Sequence, residues 1–309
     1  MLRWFRLAAC MLLLISLHSC EKTLNVKLGD SEKLVVIEGT IETGQQPYVY
    51  VSNSVGFFDK IDLSSIGYIK GALITVKDLQ TGKSIVLKEY SVDTTIGTRT
   101  FSFTIYGPDL ADTAAMNFKG ETEHTYELKV AVGSQLFTAY SKIPASTGLD
   151  SVWLEPVPGR EDSFSVLKAR YIDPDTFGNA VRIATLNKKY IKTGDPEIYL
   201  TGFSSVYNDD IINGTVLPLS IDLGYDKTRE YSQDEFQTLG FVGKGDTVTL
   251  KWSAIDNRVF KFWETLSYSA GSIGNPFASP TKIQSNIPGA LGIWGAYNPS
   301  FYTIIDSVK

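Results

Sequence analysis

The chain has 309 residues, of which 43% are hydrophobic and 20% charged, with a formal net charge of −5. This is enough apolar material for two ordinary packed domains or one large one, and it excludes wholesale disorder. The acidic balance argues against nucleic acid as a partner.

At the N-terminus Arg3 and Arg6 precede an apolar block from Leu7 to Leu17, which ends Leu17-His18-Ser19-Cys20. Cations, an apolar core, a small residue and a cysteine read in that order as a lipoprotein signal. Residues 1–19 would be removed, and the Cys20 thiol would carry a diacylglyceryl group. The block is shorter than the roughly 20 apolar residues of a spanning helix, and Glu21-Lys22 follows it. Loss of the signal takes two arginines and no acid, so the mature chain is more acidic still. It also takes Cys10 and His18, two of the chain's four cysteines and histidines. With Cys20 lipidated, the mature chain has no free thiol or internal disulfide. Cysteine proteases, thiolate zinc sites and multi-histidine metal centres are excluded. His124, the remaining histidine, stands beside a strand start in Glu121-Thr122-Glu123-His124-Thr125-Tyr126 and reads as a surface residue rather than a catalytic base. No cofactor is expected.

Residues 20–33 are polar and read as a tether. Strand text begins at Leu34-Val35-Val36-Ile37-Glu38-Gly39-Thr40-Ile41 and continues at Pro47 to Val51, rich in β-branched and aromatic residues. Ala72 to Asp78, a turn at Gln80-Thr81-Gly82-Lys83, and Ser84 to Leu87 predict a hairpin. Phe101 to Ile105 alternates as a half-buried strand does. A second hairpin is predicted over Thr125–Lys142, with Tyr126, Leu128, Val130 and Val132 on one face and a turn at Gly133-Ser134. About seven short strands in so short a stretch predict an immunoglobulin-like β-sandwich over 34–144.

Ile143-Pro144-Ala145-Ser146-Thr147-Gly148 interrupts the pattern and reads as a domain boundary. A second β-rich domain is expected over 150–309, an antiparallel sheet or open barrel with one or two short helices. Its strand text lies at 151–154, 164–171, 180–191, 198–203, 216–223 and 247–255. Ser232-Gln233-Asp234-Glu235 is a capping box ahead of Phe236 and Leu239. Asp256 can cap a helix whose Val259, Phe260, Phe262, Trp263 and Leu266 form an apolar stripe that packs on a sheet. Glycines 289, 292 and 295 permit unusual dihedrals or close backbone approach beside Trp294, and read as a structural closure of the second domain, with a ligand-binding loop as the alternative.

The C-terminal region carries Gly274-Asn275-Pro276-Phe277, Pro280, Ser285-Asn286-Ile287 and Gly289-Ala290-Leu291-Gly292-Ile293-Trp294-Gly295. Together with Leu34 to Gly39, Tyr126-Glu127-Leu128 and Asp173-Pro174, this resembles a Bacteroidota lipoprotein family, domain of unknown function 4249, over essentially the whole mature chain. Ala290 stands where that family often has a second glycine. The resemblance implies an outer-membrane-associated lipoprotein of two β-rich domains, often encoded near TonB-dependent receptors. It brings no activity and no catalytic residues.

Candidate sites are sparse. Asp173-Pro174-Asp175-Thr176-Phe177-Gly178-Asn179 clusters hard oxygens, and Asp173, Asp175 and Asn179 are the metal candidates; the same residues equally make an ordinary turn. Trp153 and Trp294 are the candidates for stacking a ligand at the surface, with Trp252 and Trp263 assigned to the core. Ser165-Val166-Leu167-Lys168 and Lys192-Thr193-Gly194 match penicillin-binding motifs in letters only, because the serine lies in strand text where that motif needs a helix start. The expectation is a non-enzymatic, outer-membrane lipoprotein that serves a TonB-dependent uptake system as an accessory or ligand-binding component. Its ligand is open between glycan and peptide, and its face of the membrane is undecided. The alternatives are a carboxylate-dependent glycan hydrolase or a structural envelope protein.

Overall fold

The computed structural model describes residues 33–55, 67–96, 99–191, 197–211, 213–227, 229–272, 279 and 281–306. Cys20, the signal 1–19, the tether up to residue 32, Lys192-Thr193-Gly194, Gly274-Asn275-Pro276-Phe277 and Pro280 lie outside the described residues. No helix among the described residues is long and apolar enough to cross a membrane.

The chain is mainly β, as the alternating text predicts. The first seven strands are β1 (Val35–Glu42), β2 (Tyr48–Asn53), β3 (Leu73–Asp78), β4 (Ser84–Ile96), β5 (Arg99–Gly107), β6 (Thr125–Val132) and β7 (Gln135–Lys142), with a one-turn helix α1 (Thr113–Met116) before β6. Both predicted hairpins form, β3 with β4 and β6 with β7. Period-two alternation sends Val35, Ile37 and Ile41 of β1 inward, and they pack with Val49, Ile74, Tyr126, Leu128, Val130 and Phe137 into one core.

After the connector 143–148 come β8 (Leu149–Pro156), β9 (Phe164–Ile172), β10 (Ala180–Asn187), β11 (Val206–Asn208), β12 (Val216–Ile221), the short helix α2 (Gln233–Phe236), β13 (Val242–Gly243), β14 (Thr247–Ile255), helix α3 (Asn257–Gly271) and β15 (Leu291–Ile305). Strands β8, β12 and β13 all pair with β9 in a small antiparallel sheet. Its inner face meets β10 and β14 across a second core, built on Leu167, Tyr171, Ile183, Leu250 and Trp252. The predicted Asp256 cap forms, its carboxylate accepting from Arg258 N and Val259 N at 2.9 Å. Val259, Phe260 and Phe262 of α3 are buried against Ala180, Ile255, Ile293 and Tyr297. The Ser232 capping box also forms, but its helix is one turn long and buries no residue. Of the strand text at 198–203, a single bridge survives, Leu200 with Thr185.

The boundary expected at 144–150 falls between β7 and β8, and the hydrogen bonding runs across it. One sheet of eleven strands, in the order β11-β10-β14-β15-β1-β2-β5-β4-β3-β6-β7, spans both halves. The link is β15, whose Leu291–Tyr297 pairs in parallel with β1 while Tyr297–Ile305 pairs antiparallel with β14. Residues from Lys33 onward therefore form one compact unit with two sandwich cores, rather than two units joined at the connector. The connector is itself pinned to the second half: Trp252 Nε1 donates to Thr147 O at 2.6 Å, and Asn298 Nδ2 to Pro144 O at 2.9 Å. The glycine-rich terminal string, read as a closure of the second domain, forms the start of β15 and closes the chain onto β1.

His124 is more buried than a surface assignment allows. Its Nδ1 lies 2.9 Å from Asp78 Oδ2 and carries the proton of that bond. Asp78, at the end of β3, also accepts from Gln80 N at 2.9 Å and Thr81 Oγ1 at 2.8 Å. Burial works against the Asp78 carboxylate, but these bonds from His124, Thr81 and Gln80 outweigh it and hold its pKa below the usual range. A depressed carboxylate contributes stability that is present above its unfolded pKa of about 3.9 and is lost as pH falls through the folded value. Asp78→Asn is expected to cost about 1–2 kcal/mol at pH 7 and progressively less as pH falls below the unfolded pKa of about 3.9, as urea midpoints at pH 7 and at the acid end of that range would read. An equal cost at both would contradict this role.

Candidate ligand-binding cleft

The outer face of the large sheet carries a cleft of about 460 Å³ over β10, β14, β15, β1 and β2. Strand register assembles its floor. Arg182 of β10 sits opposite Ser253 of β14, Glu42 of β1 opposite Tyr297 of β15, Glu38 opposite both Ile293 and Tyr50, and Thr40 opposite both Gly295 and Tyr48. These residues are the outward members of strands whose inward members fill the two cores. Trp263 from α3 forms one wall, and Glu197, Ile198 and Tyr199, leading into the Leu200 bridge, form the other. Gly295 is required beneath the Tyr297 ring, where any Cβ would collide with the phenol.

Two cations differ sharply in how they are held. Lys251 Nζ donates to both Glu42 carboxylate oxygens, at 2.6 and 2.8 Å, and neither side chain is more than about a fifth exposed. The Arg182 guanidinium instead sits over Trp263, its Cζ 3.7 Å from the ring centroid, with the Tyr297 ring 6.0 Å away. The stack is locked from below, since Trp263 Nε1 donates to Tyr297 Oη at 3.0 Å. Arg182 Nε is buried without a hydrogen-bond partner, and no ion pair among the described residues includes Arg182.

The tyrosines around the cleft stay protonated. Burial, then the nearby Glu42 charge, pushes Tyr48 up to about 12, although Arg182 acts in the opposite direction. Burial likewise raises Tyr50, Tyr199 and Tyr297. Glu38 remains partly open at the rim, yet loss of water around its carboxyl raises it above the usual carboxylate range. The cleft thus offers neutral hydroxyls, aromatic faces and one guanidinium without an anionic partner.

The candidates suggested by the sequence are distributed otherwise. Trp294 is fully buried in the first core, its Nε1 donating to Tyr126 O at 3.0 Å, so its assignment as a surface stacking residue is corrected. Burying an indole against β1 is what the adjoining glycines permit: Gly39 lies under Trp294, and a Cβ there would come within 2.6 Å of Cε3. Trp153 is open on β8, beside Glu161, Asp162 and Lys244 and apart from the cleft. Trp252 is core as expected, whereas Trp263 is only partly buried and serves the cleft.

Asp173, Asp175 and Asn179 lie on a turn in which the Asp173 carboxylate is already taken by donors and Asn179 acts as a donor itself. Asp173 accepts from Tyr171 Oη at 2.9 Å and Gly214 N at 3.0 Å. Asn179 turns its amide nitrogen to Thr176 O and to Asp209, which also accepts from Gly178 N and Asn179 N. No set of three or more acidic, histidine or cysteine side chains among the described residues is placed to hold a metal ion. Ser165 is buried and donates to Asp306 at 2.8 Å, while Lys168 donates to Ser220.

Arg182 is not among the residues that motif and composition single out. Its signal is local, an arginine inside the apolar run Ala180-Val181-Arg182-Ile183-Ala184, where an outward position on a solvated strand would not need flanking burial on both sides.

Fold and cleft together define a mainly β protein with two cores under one sheet and a polar, aromatic-lined recess on that sheet's outer face. The chain belongs to the family described as Domain of unknown function (DUF4249), whose model matches residues 21–302. Comparison with curated proteins gave no match.

Proposed function

We propose that this protein is a lipid-anchored outer-membrane lipoprotein that binds a small ligand in the cleft and serves a TonB-dependent uptake system without catalysing a reaction. The observation that carries the binding role is the cleft itself. Its volume lies within the range typical of small-molecule sites, and a few polar groups converge on it between aromatic walls. The anchor rests on the signal ending at Cys20, and the uptake role on the family's implied setting.

Of the three acids lining the cleft, Glu38, Glu42 and Glu197, the two on β1 are not spaced for hydrolysis. Glu38 and Glu42 lie four residues apart on one strand, roughly 13 Å at the backbone, beyond the ~5–9.5 Å carboxyl separation of glycosidases. Glu42 is also occupied by Lys251. The test is to solubilise native membranes in mild detergent, capture the tagged protein and identify its partners by mass spectrometry. A stoichiometric β-barrel receptor is the expected result. Recovery of the protein alone from repeated preparations would remove the uptake role, and a Cys20→Ala variant still in the membrane fraction would remove the anchor.

A further inference from the structure

We infer that the cleft recognises a ligand bearing a single carboxylate, which Arg182 receives, with the rest of the ligand lying over the tyrosines. This inference rests on the cleft being the binding site.

The unmatched guanidinium carries the assignment. An arginine taken out of bulk water ordinarily finds a carboxylate or several carbonyl acceptors, because a buried donor left unmade costs on the order of 1–3 kcal/mol. Among the described residues Arg182 has no carboxylate partner, and its Nε is buried without an acceptor. The Trp263 ring backs the guanidinium from one side without being a hydrogen-bond acceptor for it, and Tyr297 holds Trp263 in place. A planar group with two oxygens matches such a fork through two parallel, charge-assisted bonds.

The other charges narrow the ligand class. Lys251 is matched by Glu42, so the pair adds no net attraction for an anion. Glu38 and Glu197 stand exposed at the rim, where they repel a multiply charged ligand more than a monoanion. That selects a monocarboxylate over a phosphate dianion. Tyr48, Tyr50 and Tyr199 supply faces on which the apolar side of a sugar or aromatic ring can lie, and hydroxyls that stay protonated as donors.

Isothermal titration calorimetry of the whole lipoprotein in detergent, with glucuronate, benzoate, inorganic phosphate and glucose as probes, tests this. The carboxylates are expected to bind at least tenfold more tightly than glucose or phosphate and to weaken as salt is raised. Arg182→Gln is expected to lose that preference at least tenfold, and Arg182→Lys, which keeps the charge but not the fork, to lose part of it. Circular dichroism melts of both variants separate loss of the site from loss of the fold. Glucose binding as well as glucuronate, with Arg182→Gln neutral, would overturn the carboxylate assignment and leave the cleft as the site. Phosphate binding better than either carboxylate would overturn the monoanion choice. No probe binding would overturn the assignment, and if neutral oligosaccharides and peptides also failed, the cleft would fall with it.

Discussion

Gly292→Ala is expected to destabilise the protein by about 4 kcal/mol, near the upper end for single substitutions. Gly292 adopts φ +100°, where an L side chain is strained, and it faces Ile37 of β1 in the parallel pair. A Cβ there would collide with the Ile37 carbonyl, which is backbone and cannot turn aside. The strained dihedral alone costs roughly 1–3 kcal/mol; the remainder comes from spreading β15 away from β1. That pair joins the two halves of the sheet, so both cores should feel the change. Gly44→Ala is the control, since Gly44 has φ +77° but nothing within 4 Å of its Cβ position. Urea unfolding followed by tryptophan fluorescence should place Gly292→Ala well below Gly44→Ala. Equal midpoints would show that the close approach to Ile37 is not needed.

Trp294→Ala should cost about 3–5 kcal/mol, the range for emptying a large aromatic site in a packed core. The indole is fully buried between β1, β6 and the start of β15, and its N–H is the donor to Tyr126 O. The substitution removes the ring's packing and leaves a buried carbonyl without that bond. Trp294→Phe keeps most of the volume and is expected to cost about 1–2 kcal/mol, chiefly the lost bond. Trp153→Ala, on the open face of β8, should stay within about 0.5 kcal/mol, as surface changes do. Chemical denaturation of the three variants checks this order, and a Trp294→Ala no worse than Trp153→Ala would contradict the placement of Trp294 in the core.

The strands with clean alternation are legible in the amino-acid sequence, because period two and β-branched residues are local properties. Both hairpins, the Asp256 cap and the stripe on α3 belong to this group. What depends on distant partners is not legible there. The start of β15 reads only as a glycine-rich closure of the second domain, since Gly292 and Gly295 do not look like strand residues until the Ile37 carbonyl and the Tyr297 ring are seen lying against them. Trp294, set among those glycines, then reads as exposed although it is fully buried in the first core. The single sheet is hidden for the same reason: its joining pair links residues some 250 positions apart. The cleft is hidden because most of its floor is made of outward residues that are ordinary on their own strands. Only the order β10-β14-β15-β1-β2 brings Arg182, Lys251, Glu42 and Tyr48 to one place. The oxygen-rich 173–179 segment shows the converse, a conspicuous local composition that folds into a turn tied to Tyr171 and Asp209.

The most direct test of the cleft as the ligand site is to follow the indole N–H resonances of Trp153, Trp252, Trp263 and Trp294 by ¹⁵N NMR while neutral and acidic sugars and peptides are titrated in. The four report on the β8 surface, the second core, the cleft wall and the first core. Ligand in the cleft should move Trp263, whose N–H is bonded to Tyr297 beneath the Arg182 stack, and leave Trp252 and Trp294 in place. A saturable shift confined to Trp153, or none at any of the four, would contradict the account.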